Sequence, residues 1–262
     1  MSLDTFSKCL GSLFGLWHDR QDPDELKRRF RSGFLWTVSG SVNEGGEQNS
    51  GVEDDLPPES FEHAVLQMLN FGVSEIMMSV QTLEDTEIYV RRFPYGNTGI
   101  TKTRHLRRNI EKYLEEVYIL RERLKKYVKD IEERFGDVID QDSRVLLKKA
   151  ATLATKSLDP IAGYGKVRGK HVHDARFTSP EIDRLTSLET FLNLSELDEQ
   201  FTGTIDLILD DEYKRLRKAW AERVKEETAA FNYMVDCYFE LLQQALFKDD
   251  CSPRFPFYME GI

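Results

Sequence analysis

With 262 residues, 40% of them apolar and 31% charged, the chain has the composition of a folding globular protein, not of a disordered one, and its size suits one main domain with an appendage. A formal net charge of -10 excludes a protein that coats nucleic acid through its overall field, so any phosphate contact must come from a local cluster of Lys and Arg. No apolar run approaches the roughly 20 residues that span a bilayer, the N-terminus lacks a secretion signal, and Cys9, Cys237 and Cys251 suit free thiols better than a disulfide framework or a zinc site, which together predict a cytoplasmic chain with no membrane contact.

In chain order, Phe6, Leu10, Leu13 and Trp17 recur at helical spacing. Asp22-Pro23-Asp24-Glu25 then places proline and acids in the first turn of a second short helix, which would bury Leu26, Phe30, Phe34 and Val38. Residues 1–38 are thus expected as an N-terminal helical extension. Over 39–59 the composition turns to Gly, Ser, Asn and Glu with two prolines, and seven acids and no Lys or Arg fall between Glu44 and Glu62, which predicts a flexible acidic linker.

Ser60 is the expected N-cap of a helix with Phe61, Val65, Met68, Ile76, Val80 and Leu83 on one face, and Met68, Met77 and Met78 read as core. A loop containing Pro94, Gly96 and Gly99 follows. Leu106, Ile110, Tyr113, Val117, Leu120, Leu124, Tyr127 and Ile131 then alternate steps of four and three, the seam of a coiled coil. A helix over 102–135 would be about 50 Å long and stable only against similar helices. A third long helix is expected over 141–157 with Leu146, Ala150, Leu153 and Ala154 inward. The last, over 211–247, turns Tyr213, Leu216, Trp220, Val224, Phe231, Val235, Tyr238 and Leu242 to one face. The prediction is an all-α, up-and-down bundle of long antiparallel helices over 60–250, followed by a tail over 251–262.

Chemistry is sought where the pattern departs from packing, and it departs at 160–176. Three glycines, the basic residues Lys166, Arg168, Lys170 and Arg176, and two of the five histidines, His171 and His173, lie between two predicted helices. From Arg144 to Arg176 there are eight Lys or Arg against two Asp, while the stretch up to Glu212 is acidic. An Arg offers a permanent planar fork for phosphate, and a His titrates near neutrality, so the pair can hold a phosphodiester and move a proton without a metal. In that role His173 takes the proton of a ribose 2′-hydroxyl and Arg168 neutralises charge on the phosphorus oxygens. No metal or cofactor is expected: Gly163-Tyr164-Gly165-Lys166 lacks the ends of a Walker loop, and His63 and His105 stand without a second ligand at helical spacing.

Arg168-Gly169-Lys170-His171-Val172-His173 resembles the Arg-x(4 to 6)-His motif of HEPN domains, and the order of helices over 60–247 is similar to theirs. The resemblance implies a helical bundle, often a homodimer with two motifs facing one another, and in many members a metal-independent ribonuclease of toxin, antiphage or RNA-processing systems. Arg168 and His173 would be the catalytic pair, with Lys166, Lys170, His171 and Arg176 contacting RNA. Gly169 stands where many active members carry a polar residue, and Ala175 where members modified by a nucleotidyltransferase carry Tyr. Two further readings stay open. Arg168 and His173 would close the loop by pairing with the acids that follow, or the chain would be a non-catalytic interaction module whose N-terminal helices or aromatic tail, Phe255-Pro256-Phe257-Tyr258, dock a protein partner.

Overall fold

The structure is a computed structural model that describes residues 2–18, 61–93, 99–162, 179–193, 199–255 and 257. Among the described residues six helices form: α1 Ser2–His18, α2 Phe61–Arg91, α3 Lys102–Phe135, α4 Gln141–Ala162, α5 Pro180–Leu192 and α6 Glu199–Leu246. No strand is found among these residues, so the predicted all-α bundle is the observed class. No helix among them is long and apolar enough to cross a membrane. The second short helix expected near residue 22, the linker over 39–59 and the Ser60 cap lie outside the described residues.

The bundle closes as a ring in which α2 packs on α3, α3 on α4, α4 on α6 and α6 on α2, while α3 and α6 meet across the diagonal. Polar contacts give the directions. Tyr127 donates to the Leu69 carbonyl at 2.9 Å and Arg123 pairs with Glu75 at 2.6 Å, so α2 and α3 run antiparallel. Arg121 pairs with Asp159 at 2.6 Å, which sets α4 antiparallel to α3. On the diagonal, Tyr113 donates to Glu227 at 2.6 Å and Tyr238 to the Leu124 carbonyl at 2.8 Å, so α3 and α6 are parallel. All eight predicted seam residues of α3 and all eight of α6 are buried, as their spacing demands.

Helix ends follow local chemistry. The Thr101 side chain accepts from the Arg104 N–H at 3.2 Å, and because the first turn of α3 has no acid of its own, Glu189 of α5 supplies one, accepting from the Thr103 N–H at 3.2 Å and the Thr101 hydroxyl at 3.0 Å. Asp140 accepts from the Ser143 N–H at 2.7 Å ahead of α4, a bond that holds its carboxyl below the usual range. Gly72 of α2 makes room for a side chain of α3: a Cβ there would meet the Tyr127 ring at 2.1 Å. Gly72→Ala is therefore expected to destabilise the fold by about 1–2 kcal/mol, since crowding the buried Tyr127 costs more than the roughly 1 kcal/mol that Ala gains in a helix. A denaturant midpoint that rises would show that the ring has room to move.

Several expectations are corrected. Cys9 and Cys251 are not free thiols: they form a disulfide with Cα atoms 4.8 Å apart, bridging 242 residues, and only Cys237 is free. Spacing along the chain hid this pair because helices bring the two ends together. α1 lies on α6 and α2 with Phe6, Cys9, Leu10 and Leu13 buried, so these residues join the common core. The tail residues Phe255 and Phe257 are not offered to a partner either. Chain reversal after α6, held by Arg254 N–H to Leu246 carbonyl at 2.8 Å, folds them back under the bundle, where Phe255 stacks on Phe135 at 4.1 Å. Cys251, at the tip of that reversal, takes the left-handed φ of 63°.

In α4 Ala150 and Ala154 are buried as expected, but the buried face is turned from them toward Leu147 and Leu158, which leaves Leu146 and Leu153 at its edge. α6 begins at Glu199 instead of 211, and α5 is an addition announced by Ser179-Pro180-Glu181, a cap, an N1 proline and an acid. Met78 is the clearest misreading: it is 58% exposed, whereas Ile76 and Val80 beside it are buried.

Candidate functional site

Both ends of the basic segment are anchored in one column of the bundle. α4 pairs with the middle of α3 through Arg121–Asp159, and α5 pairs with the start of α3, where Arg107 donates to Thr186 at 2.8 Å and approaches Asp183 at 3.4 Å. Since both helices also pack on α6, α5 continues the column that α4 leaves, and residues 163–178 connect the two. Lys166, Arg168, Lys170, His171, His173 and Arg176 all fall within that connection, outside the described residues. What the described residues establish is the frame on either side of it.

On α3, helical spacing sets Arg107, Glu111, Leu114, Tyr118 and Arg121 in one half-buried row along this column. Across from it, α6 presents a linked group. The Arg223 Nε donates to Glu227 at 2.9 Å, Glu227 also accepts from the buried Tyr113 hydroxyl, and the Arg223 guanidinium lies 4.7 Å from the Trp220 ring. Burial and the hydrogen bond to Glu227 push the Tyr113 phenol well above its ordinary pKa, so it stays a proton donor and not a base. This group holds α3 to α6 and places one guanidinium at the edge of the frame.

At the start of α5, the Ser179 hydroxyl accepts from the Ile182 N–H at 3.2 Å and caps the helix. A small cleft of about 170 Å³ opens there between α5 and α6, with Arg184 and Arg215 at its mouth. Both guanidiniums reach Glu212, at 3.2 and 2.6 Å, and their proximity keeps its carboxyl below the usual range. Glu212 thus competes with any phosphate for this pair. Nearby, hydrogen bonds from Lys102 and Lys214 lower the pKa of Asp210 to about 2, so Asp210 and Glu212 are both already engaged by bases.

The basic run of α3 divides. Arg107 is spent on α5, while Arg104, Arg108 and Lys112, spaced by four, are exposed at the same end of the bundle. His105 is buried, with its ring edge-on to Phe93 at 5.2 Å and its pKa lowered by burial, and the His63 ring lies 3.3 Å from the Gln67 side-chain amide. No cluster of metal-ligating side chains occurs among the described residues. Compared with protein-family models, with curated proteins and with solved structures, the chain matches none.

Proposed function

We propose that the protein is a HEPN-like helical bundle that binds RNA through the segment carrying Lys166, Lys170, His171 and Arg176, and that Arg168 and His173 transfer a phosphodiester there without a metal. The observation that carries this reading is the anchoring of the segment between α4 and α5 on a common column, which supports a short basic connection held at both ends by rigid helices. Exposed Arg104, Arg108 and Lys112 at the same end add positive charge to which a phosphate backbone can extend. The associated expectation is a homodimer with two segments facing one another. Its contact would have to lie elsewhere than the α3 seam, because every residue of that seam is consumed inside one chain.

The test of binding is fluorescence anisotropy with a labelled single-stranded RNA at several salt concentrations. Affinity is expected to fall steeply with salt, and Lys166→Ala combined with Lys170→Ala is expected to flatten that slope by about two phosphate contacts. Binding that ignores salt, or that the double variant leaves unchanged, overturns the reading. Light scattering should give twice the 30.5 kDa chain mass at micromolar concentration.

A second reading, a non-catalytic interaction module, is favoured by one specific observation. Large apolar side chains stand exposed on α2 and α6, among them Phe71, Met78, Leu207 and Tyr233, on a protein whose core is otherwise closed.

A further inference from the structure

α1 occupies only part of the groove between α2 and α6. Phe6 packs 5.2 Å from Phe239 and Cys9 reaches Cys251, so α1 runs from the middle of α6 toward its C-terminal end. At the start of α1, Leu3 borders an open cleft of about 510 Å³. Its floor is apolar, built from Leu3, Met77, Val80 and Val235, and Met78 lies exposed at its edge. Glu84, which accepts from Asn232 at 2.7 Å, and Asp236 put a carboxylate on each wall.

The groove does not end with the cleft. Helical spacing sets Met77, Gln81, Glu84 and Ile88 in one row on α2, and Asp236, Asn232, Ala229 and Lys225 in the facing row on α6. Ile88 is 44% exposed and Ala229 is exposed, so past the bond between Glu84 and Asn232 the two rows still face outward, and from Met77 to Ile88 they span about three turns, or roughly 15 Å. α1 already packs on these same two helices, so a second helix can be seated along the same rows. Methionine at the contact suits an adaptable apolar seat, and a small residue such as Ala229 lets a backbone approach closely.

We propose that this open length of the α2–α6 groove is a docking site for an amphipathic, basic helix of a partner protein, lying end to end with α1. The occupant's apolar stripe meets Met77, Met78 and Ile88, and its Lys or Arg residues face Glu84 and Asp236. Charge selects the chemistry: both acids flank the cleft, and the net charge of -10 attracts a cation from a distance. The proposal rests on the interaction-module reading and names its surface and partner; it is independent of RNA binding.

The test uses the full oxidised chain and a fluorescein-labelled peptide of about 14 residues, long enough for a marginal helix, with Leu and Lys at helical spacing, beside its twin with Glu for Lys. The Lys peptide is expected to bind saturably and the Glu peptide not. Ala229→Trp, which fills the groove from an exposed position, should weaken binding by about tenfold or more, whereas Leu207→Ser on the far arm of α6 should not. Glu84→Lys with Asp236→Lys should reverse the preference between the two peptides. Binding that Ala229→Trp leaves unchanged puts the peptide elsewhere, which overturns the groove while sparing the module reading. Equal binding of the two peptides, or none of the Lys peptide, overturns the partner's chemistry. Self-association abolished by Ala229→Trp would make a second copy the occupant and overturn the proposal in that way.

Discussion

Incubated with a single-stranded RNA in EDTA, the protein is expected to leave a 2′,3′-cyclic phosphate and a 5′-hydroxyl, and His173→Ala is expected to slow this by about 10²–10⁴-fold. The atoms balance without a metal. In the proposed step His173 takes the proton of the 2′-hydroxyl, the freed oxygen attacks phosphorus, the bond to the 5′-oxygen breaks, and that oxygen takes a proton from water to leave as the hydroxyl. Charge grows on the non-bridging oxygens during attack, and Arg168 is assigned to neutralise it. Arg168→Ala should thus lose the same rate and weaken binding as well, because one side chain holds the phosphate and stabilises the transition state. Arg168→Lys should recover binding better than rate, since a point charge does not reproduce a planar fork. His171→Ala should matter less. Circular dichroism of each variant should match that of the unmodified protein, which separates lost chemistry from a lost fold. RNA left whole with every metal tried, yet bound with a steep salt dependence, would reduce the function to binding. RNA neither cut nor bound would remove the reading, and the interaction module would stand in its place.

Reduction of the Cys9–Cys251 bridge is expected to lower the melting temperature by roughly 10 °C. A crosslink across 242 residues removes on the order of 5 kcal/mol of chain entropy from the unfolded state, and for a chain of this length each kcal/mol corresponds to about 2 °C. The bridge joins α1 to the reversal after α6, so its loss should be felt first at that end, where Phe6, Phe135, Phe247 and Phe255 form one aromatic cluster. Cys9→Ala with Cys251→Ala should melt near the reduced protein, and the free Cys237 changed to Ala should leave the oxidised melting temperature in place. Equal melting with and without reductant would show that packing alone holds α1. Thiol trapping in acid-quenched cells bears on location, because a chain held in the cytoplasm meets a reducing pool that opens such bridges.

These expectations were legible in the sequence to different degrees. The α3 helix, expected over about 102–135, is found at Lys102–Phe135 because its seam repeats over many turns. α5 carries an equally plain start signal at Ser179-Pro180, but its short apolar row of Ile182 and Leu185 is too brief to register as a periodic pattern. Met78 departs from its expected place in the core because it is apolar among apolar neighbours, and nothing local says that its face of α2 turns outward. The basic segment was visible as a break in periodicity, and only the pairing of Arg107 with α5 and Arg121 with α4 revealed that its two ends return to one column.

Helical periodicity is a local property, repeated every 3.6 residues along the chain, so the sequence by itself determined that the protein is all-α and which faces of α3 and α6 are buried. Which helix neighbours which is set by how those faces fit together in three dimensions, through contacts between residues far apart in the chain. Tertiary structure alone therefore decided that Cys9 meets Cys251, that the aromatic tail closes the core, that Glu189 caps another helix, and that α1 leaves part of the α2–α6 groove open.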